Sequence, residues 1–289
     1  MLDVMKRRRV LAGLGLLGLS SWSLSGRASL PAVGRPLRLG VLPITSTRIL
    51  LGNYAPVRAY LQNALGQPLE LFAAADFRTF VLNTERGEYD LIVTAVHFAR
   101  LAQLESGWLP LVRYTALHQT LLVTLRDRPL ARLEELRGRV VAGPDPLTLV
   151  SMEGRDWLQA RGLREDADYT YLATPTTPSA AHALINGQSP LFLGTPQGLL
   201  NTPRDVRDQL AVFTALPERA NLTWLAHPRL AAQQAQLKAA LLGMNGASAE
   251  LGSFFEATGY QGVREVQGAE LTGADKYLPR LRAALRATR

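Results

Sequence analysis

The stretch LRLGVLP, residues 37–43, decides the fold class. A short apolar run that ends at a proline is typical of a buried strand, because proline cannot continue a strand's hydrogen-bond ladder. The segment 47–65 then repeats apolar residues at helical spacing and stops before Gly66, which predicts a helix with a glycine end. A strand followed directly by a helix is the unit from which parallel α/β sheets are built.

Two further strand-helix pairs continue this pattern along the chain. We predict strands at 69–73 and 90–94, a helix that Asp76 caps and that runs through Leu82, and a helix that ends at Leu104. This order predicts a parallel sheet with helices on its faces. In such sheets, ligands bind at the junctions between strands and the helices that follow them.

A second series of strands and helices begins after residue 125. Its predicted strands are 139–143, 169–173 and 191–193, and its predicted helices are 130–136, 148–160 and 179–185. Extended segments that we expect to cross between the two series are 110–115, 121–125, 210–215 and 222–226, and further helices follow at 230–244, 249–257 and 274–287. Two α/β halves joined by two crossings predict a two-lobed fold with a cleft and a hinge. We assign residues 36–117 plus 218–289 to lobe 1 and residues 118–217 to lobe 2.

The first 30 residues have the layout of an export signal. Positive charge at 6–9 precedes an uncharged apolar run at 10–19, and small residues follow. The run has about 10 residues, whereas a membrane span needs ~20. Residues 1–30 are therefore predicted to be a Sec or twin-arginine signal peptide, and the mature protein is expected in the periplasm.

Composition excludes several classes of function. The formal charge of +8 includes five positive and one negative residue from the signal segment, so +4 remains in a mixed and dispersed pattern. A dispersed pattern of this kind argues against nucleic-acid binding. The chain has no cysteine, and its four histidines are spread at 97, 118, 182 and 227, so we expect no disulfide, no metal site and no cofactor. Enzyme motifs of the P-loop, nucleophile-elbow and zinc-helix kinds are absent, and we expect no enzyme activity.

Several stretches carry a family resemblance in a shared order. They are LGVLP at 39–43, EYDLIVTA at 88–95, LEELRGRVVA at 133–142, Asp145-Pro146 and Asn186-Gly187. In these stretches the chain resembles the substrate-binding proteins of phosphate/phosphite/phosphonate-type ABC transporters. The resemblance implies a type II-like periplasmic-binding-protein fold, a small-molecule ligand, an ABC permease as partner and a monomeric state. The chain departs from the family at Leu147, Leu149 and Val150, where the family has hydroxyl residues, and at Thr177, where it has a histidine.

Hydroxyl-bearing residues lie at the predicted junctions of both lobes. The candidate ligand-binding residues are Thr45, Ser46, Thr47, Thr94, Thr148, Ser151, Thr177 and Thr195, together with His97. Hydroxyl groups and the free N–H groups of a helix start suit a small anion. Helix capping is the alternative role for each threonine and serine. His97 is equally open to a structural role.

The function expected from these residues is capture of a small polar or anionic solute, phosphonate-like, phosphate-like or a related oxyanion, for an ABC transporter. The alternative is a ligand-sensing accessory protein that docks on a membrane sensor kinase or another receptor. A third hypothesis is an extracytoplasmic hydrolase or transferase on a similar two-lobe scaffold, because a triad assembled from distant residues leaves no sequence motif.

Overall fold

The computed structural model describes residues 35–286, so the predicted signal peptide at 1–30 lies outside the described residues. Its strands are β1 (Leu37–Val41), β2 (Leu69–Ala73), β3 (Leu91–Thr94), β4 (Leu109–Tyr114), β5 (Leu117–His118), β6 (Leu121–Leu125), β7 (Arg139–Gly143), β8 (Tyr169–Ala173), β9 (Leu191–Gly194), β10 (Leu210–Ala215), β11 (Arg219–Ala220), β12 (Thr223–Ala226) and β13 (Val263–Glu265). Between 35 and 286, no helix combines the length and the apolar character that a membrane crossing requires.

The helices follow most strands directly. They are α1 (Thr47–Leu65), α2 (Phe77–Glu85), α3 (Val96–Ser106), α4 (Leu149–Gln159), α5 (Thr177–Ile185), α6 (Pro196–Leu200), α7 (Arg204–Arg207), α8 (Gln234–Leu242), α9 (Ala249–Thr258), α10 (Gly268–Thr272) and α11 (Leu278–Arg286). Short 3-10 turns occupy Leu133–Leu136, Pro228–Gln233 and Asp275–Tyr277. The predicted α/β class with two sheet-containing lobes is confirmed.

Sheet 1 has the strand order β13-β4-β12-β3-β1-β2 and forms the core of lobe 1. Strands β1, β2 and β3 are parallel, whereas β12 pairs antiparallel with both β3 and β4. The parallel sheet predicted from the strand-helix order of β1, β2 and β3 is therefore confirmed. Strand β4 follows β3 through α3 and runs in the same direction, because β12 lies between them and is antiparallel to both. The antiparallel strands β12 and β13 join sheet 1 from later parts of the chain, which the strand-helix order did not reveal.

Sheet 2 has the strand order β10-β6-β9-β7-β8 and forms the core of lobe 2. Neighbouring residues of β6 point to opposite faces, because side chains alternate along a strand. Leu121 and Val123 join one apolar cluster and Leu122 joins another. Both faces of sheet 2 are therefore covered, as expected for a sheet with helices on its two sides.

The chain passes between the sheets at two very short strands. β5 and β11 pair antiparallel in a separate ribbon, with Arg219 opposite His118. The segments predicted as two crossing pairs, 110–115 with 121–125 and 210–215 with 222–226, lie on either side of this ribbon, and in each pair one segment belongs to sheet 1 and the other to sheet 2. The two crossings are thus confirmed. The chain changes sheet between the two segments of each pair, at a point that has only two paired residues on each side.

The C-terminal segment after β13 packs on lobe 1. Arg78 in α2 donates to the carbonyl oxygens of Ala284 and Leu285, and Arg100 in α3 pairs with Asp275 at 2.6 Å. The same segment reaches lobe 2, where Arg280 pairs with Asp156 of α4 at 2.8 Å. The end of the chain is thus a second link between the lobes, in addition to the ribbon of β5 and β11.

Candidate ligand-binding site

On lobe 1, the junction between β1 and α1 presents exposed polar groups. Thr45, Ser46 and Thr47 are all exposed, and α1 begins at Thr47 with no side-chain cap from Ser46. The neighbouring helix α3 follows Ala95, which has no side chain that can cap it. The first N–H groups of a helix have no partner inside the helix. Both helix starts therefore leave N–H groups for solvent or an anion.

Thr94 lies at the end of β3 and is fully buried. Its hydroxyl oxygen has no hydrogen-bond partner within residues 35–286. It lines a cavity of about 10 Å³ together with Phe80 and Phe98 of the helices that cover sheet 1. That volume is close to the least that one water molecule needs.

His97 lies in the first turn of α3 and is 0% exposed. Its Nε2 is 2.8 Å from the carbonyl oxygen of Leu147 in lobe 2, whereas Nδ1 has no partner among the described residues. Burial lowers the pKa of His97 to about 4, although the bond to Leu147 acts in the opposite direction. A neutral ring that donates from Nε2 carries an acceptor at Nδ1. His97 therefore offers a buried acceptor and joins the two lobes.

On lobe 2, Thr148 and Ser151 are held by neighbouring groups. Thr148 caps α4 by accepting from the N–H of Ser151, and its hydroxyl donates to the Asp145 carbonyl at 2.8 Å. The Ser151 hydroxyl is buried and lies 2.6 Å from the Tyr171 hydroxyl and 3.0 Å from the Pro144 carbonyl oxygen. Both hydroxyls therefore hold the loop between β7 and α4 in place.

Thr177 and Thr195 lie next to each other at two further helix starts. Thr195 caps α6 by accepting from the N–H of Gly198 at 3.0 Å. Gly198 in turn packs so closely on the Thr177 hydroxyl that no Cβ fits there. The cap of α5 is Thr176, and Thr177 is the first residue of that helix.

The structure groups eight of the nine predicted residues into three sets, and Thr94 lies apart from them in its small buried cavity. His97 contacts the segment that contains Thr148 and Ser151, and Thr177 lies beside Thr195. Thr45–Thr47 form the third set, and no hydrogen bond described in residues 35–286 joins their side chains to lobe 2. Next to Thr148, the side chains of lobe 2 are apolar. Leu147, Leu149 and Met152 belong to the same apolar cluster as the core of lobe 1.

Sequence reasoning missed a buried polar cluster at the hinge, formed around Glu153 of α4. Glu153 is 3% exposed and accepts from Thr120 at 2.6 Å, from Arg219 at 3.2 Å and from Tyr277 at 3.2 Å. His118 of β5 lies 3.6 Å from the same carboxylate. Burial acts to raise the pKa of Glu153, but hydrogen bonds from His118, Thr120 and Arg219 lower it below its ordinary value. A charged Glu153 therefore binds both hinge strands and the C-terminal segment.

Both a family profile and solved structures match this chain. A family profile described as "ABC transporter, phosphonate, periplasmic substrate-binding protein" matches residues 39–271. No curated protein sequence matches the chain. Solved structures of the same fold share little sequence with it, and the predicted type II-like fold is confirmed by them.

Three of these structures cover most of the chain. PhnD1 from Prochlorococcus marinus, solved with methylphosphonate, has a TM-score of 0.72 and 12% identity, and the match covers 85% of this chain and 98% of that one. A Xanthomonas citri protein bound to ATP has a TM-score of 0.73 and 16% identity, with 86% and 98% covered. A binding-protein component of an ABC phosphonate transporter from Pseudomonas aeruginosa has a TM-score of 0.72 and 16% identity, with 88% and 90% covered. Because the family profile spans most of the sequence, the chain belongs to the periplasmic substrate-binding proteins of phosphonate ABC transporters, which capture a small-molecule ligand for a membrane permease.

Proposed function

We propose that the ligand is a small oxyanion of the phosphonate or phosphate type, held where strands meet helices in the two lobes. The residues we assign to this site are Thr45, Ser46, Thr47, Thr94, His97, Thr148, Ser151, Thr177 and Thr195. We assign the two lobes to 36–117 plus 218–289 and to 118–217. The methylphosphonate bound by the Prochlorococcus marinus protein makes that compound a suitable first probe.

The observation that carries the proposal is that two helices of lobe 1 begin without a side-chain cap directly after a strand of sheet 1. They are α1 and α3, whereas Asp76 caps α2. In lobe 2, threonine hydroxyls already cap α4, α5 and α6. An anion gains both hydrogen bonds and a favourable helix dipole at an uncapped start. We therefore expect lobe 1 to supply the main anion contacts, through the N–H groups that begin α1.

Replacement of Ser46 by aspartate tests this site. The new carboxylate accepts the free N–H groups of α1 and repels an oxyanion, so Ser46→Asp raises the free energy of unfolding by about 0.5–1 kcal/mol. The same change weakens binding of methylphosphonate, phosphite or phosphate at least about tenfold. Calorimetric titration and urea unfolding measure the two effects.

The matched control is Ser248→Asp, at the start of α9, where Ser248 already caps the helix by accepting from Leu251. It adds the same charge and should leave oxyanion binding unchanged. Oxyanion affinity in Ser46→Asp equal to that of the unaltered protein would contradict the assignment of α1. If no oxyanion in the panel binds to the unaltered protein, the ligand class itself is wrong.

We further propose that the protein binds its ligand without transforming it and acts as a periplasmic monomer, exported by the segment 1–30. Ser151 is bonded to Tyr171 and Pro144, and His97 donates to Leu147, so neither is paired as a nucleophile with its base. We place an ABC permease ahead of a membrane sensor as the partner, because the family profile is that of a transporter component.

A further inference from the structure

A second cavity lies at the hinge, away from the strand-helix junctions. Its volume is about 250 Å³, near the lower end of the roughly 300–1,000 Å³ range typical of ligand sites. Glu153 and Trp157 of lobe 2, Arg219 of the hinge ribbon, and Lys276 and Tyr277 of the C-terminal segment line it. The cavity follows α4 from its middle to beyond its end, whereas Thr148 and Ser151 stand at the start of that helix.

The charges around this cavity favour an anion. Both carboxylates that line it have cationic partners, since Glu153 pairs with Arg219 at 3.2 Å and Asp156 pairs with Arg280 at 2.8 Å. Two further lining cations, Arg161 and Lys276, are exposed and form no ion pair with any residue in 35–286. Three cations and two carboxylates line the cavity, which leaves it with a net positive charge.

Aromatic rings form part of the wall beside these cations. The Arg161 guanidinium lies 3.7 Å from the centre of the Trp157 ring, and the Lys276 ammonium lies 4.7 Å from the centre of the Tyr277 ring. Tyr277 is buried and its hydroxyl donates to Glu153, so this wall is fixed to the hinge cluster. A cation beside an aromatic surface suits a ligand with a planar apolar body and one anionic group.

We propose that this hinge cavity is a second binding site, for a small organic anion with a planar apolar body such as an aromatic carboxylate. Lining residues come from both lobes and from β11 of the hinge ribbon, so an occupant contacts both lobes and one strand of the hinge. Binding there is therefore coupled to the lobe arrangement, and through it to the oxyanion site.

Benzoate is the test probe, and benzyl alcohol is its uncharged counterpart. Saturation-transfer NMR and calorimetric titration should show saturable benzoate binding and at least about tenfold weaker binding of benzyl alcohol. Lys276→Glu and Arg161→Glu should each weaken benzoate binding at least about tenfold. Arg58→Glu is the matched control, because Arg58 is an exposed residue of α1 far along the chain from the cavity, and it should leave benzoate affinity unchanged.

Addition of methylphosphonate separates this site from the proposed oxyanion site. Benzoate binding should persist in the presence of saturating methylphosphonate and in the Ser46→Asp variant. The proposal is overturned if benzoate does not bind at millimolar concentration, if benzyl alcohol binds equally well, or if Lys276→Glu and Arg58→Glu have equal effects. Displacement of benzoate by methylphosphonate with unchanged binding in Lys276→Glu would assign benzoate to the oxyanion site and also overturn the proposal.

Discussion

At the scale of single residues, His97 is one of the groups that make the stability of the protein depend on pH. Its pKa is lowered to about 4 in the folded chain by burial, against about 6.5 for an unfolded histidine. Between these two values the unfolded state binds a proton that the folded state does not. Stability contributed by neutral His97 is thus complete above pH 6.5 and is lost as the pH falls towards 4.

We expect His97→Gln to remove this part of the pH dependence. Glutamine can still donate to the Leu147 carbonyl but does not titrate. Between pH 7 and pH 4.5, the free energy of unfolding of the unaltered protein should therefore fall by about 2 kcal/mol more than that of the variant. Urea unfolding at the two pH values measures it. His182→Gln, at an exposed position of α5, serves as the control. A constant difference between unaltered protein and His97→Gln would show that His97 is not buried neutral.

The buried state of His97 lies beyond what sequence spacing reveals. The sequence places His97 at a helix start, and the structure agrees. Its partner, the Leu147 carbonyl, is 50 residues away in the other lobe and has no sequence signature. Sequence also left the roles of Thr148 and Thr195 open, because a threonine at a strand-helix junction can cap the helix or contact a ligand. In the structure both residues cap the helices that follow them. Glu153 had no signal, since its three hydrogen-bond donors come from three separate segments.

At the scale of elements, α4 packs unusually close to sheet 2 because of one glycine. A Cβ added to Gly154 would lie 2.5 Å from the nearest side-chain carbon of Leu193 in β9, and Leu193 is itself buried. Gly52, in the middle of α1, has no atom within 4 Å of its added Cβ. The same substitution therefore has opposite consequences in the two helices.

Gly154→Ala should lower the free energy of unfolding by about 1 kcal/mol. The cost of overpacking, about 1–3 kcal/mol, outweighs the ~0.5–1 kcal/mol that alanine contributes in a helix. Gly52→Ala gains the helix term without the clash and should raise the free energy of unfolding by about 0.5–1 kcal/mol. Urea unfolding of both variants checks the pair. Stabilisation by Gly154→Ala would mean that α4 and β9 are less tightly packed than the structure has them.

Elements that span two or more of their own periods were predictable, and shorter ones were not. The helix 47–65 and the strands 69–73, 139–143, 169–173 and 210–215 have the predicted bounds. The strands β5, β11 and β13 have only two or three residues, and the helices α6, α7 and α10 complete little more than one turn of 3.6 residues, so these six elements were missed. Segment 230–244 was predicted as one helix, but a 3-10 turn ends at Gln233 before α8 begins.

At the scale of the whole molecule, polar contacts and apolar packing cross between the lobes. Three of the polar contacts are the bond from His97 to the Leu147 carbonyl, the bond from Tyr277 to Glu153, and the ion pair of Arg280 with Asp156. Rotation of the lobes about the β5–β11 ribbon breaks all three. The two-lobed form was predictable from the repeated strand-helix units, whereas these crossing contacts depend on tertiary packing and have no local pattern.

Replacement of Glu153 by glutamine should therefore favour the open arrangement. Glutamine has the same size, but it leaves Arg219 without a charged partner and weakens the bond to Tyr277. The distance between the lobes can be measured with one spin label on each lobe. Because the chain has no cysteine, the labels attach only at introduced cysteines. Suitable changes are Leu104→Cys in α3 and Leu200→Cys in α6, because these leucines are 50% and 64% exposed. We expect longer distances between the labels in ligand-free Glu153→Gln than in the labelled protein that retains Glu153.

Affinity and distance should change together in this experiment. Apparent affinity falls by the same factor as the population of the binding-competent arrangement, so Glu153→Gln should bind methylphosphonate several-fold more weakly. Saturating methylphosphonate should then restore the short distance, because ligand that binds the closed form shifts the population towards it. Glu256→Gln, on the exposed side of α9, is the matched control and should change neither quantity. Weaker binding with unaltered label distances would mean that Glu153 acts on the ligand itself and not on the hinge.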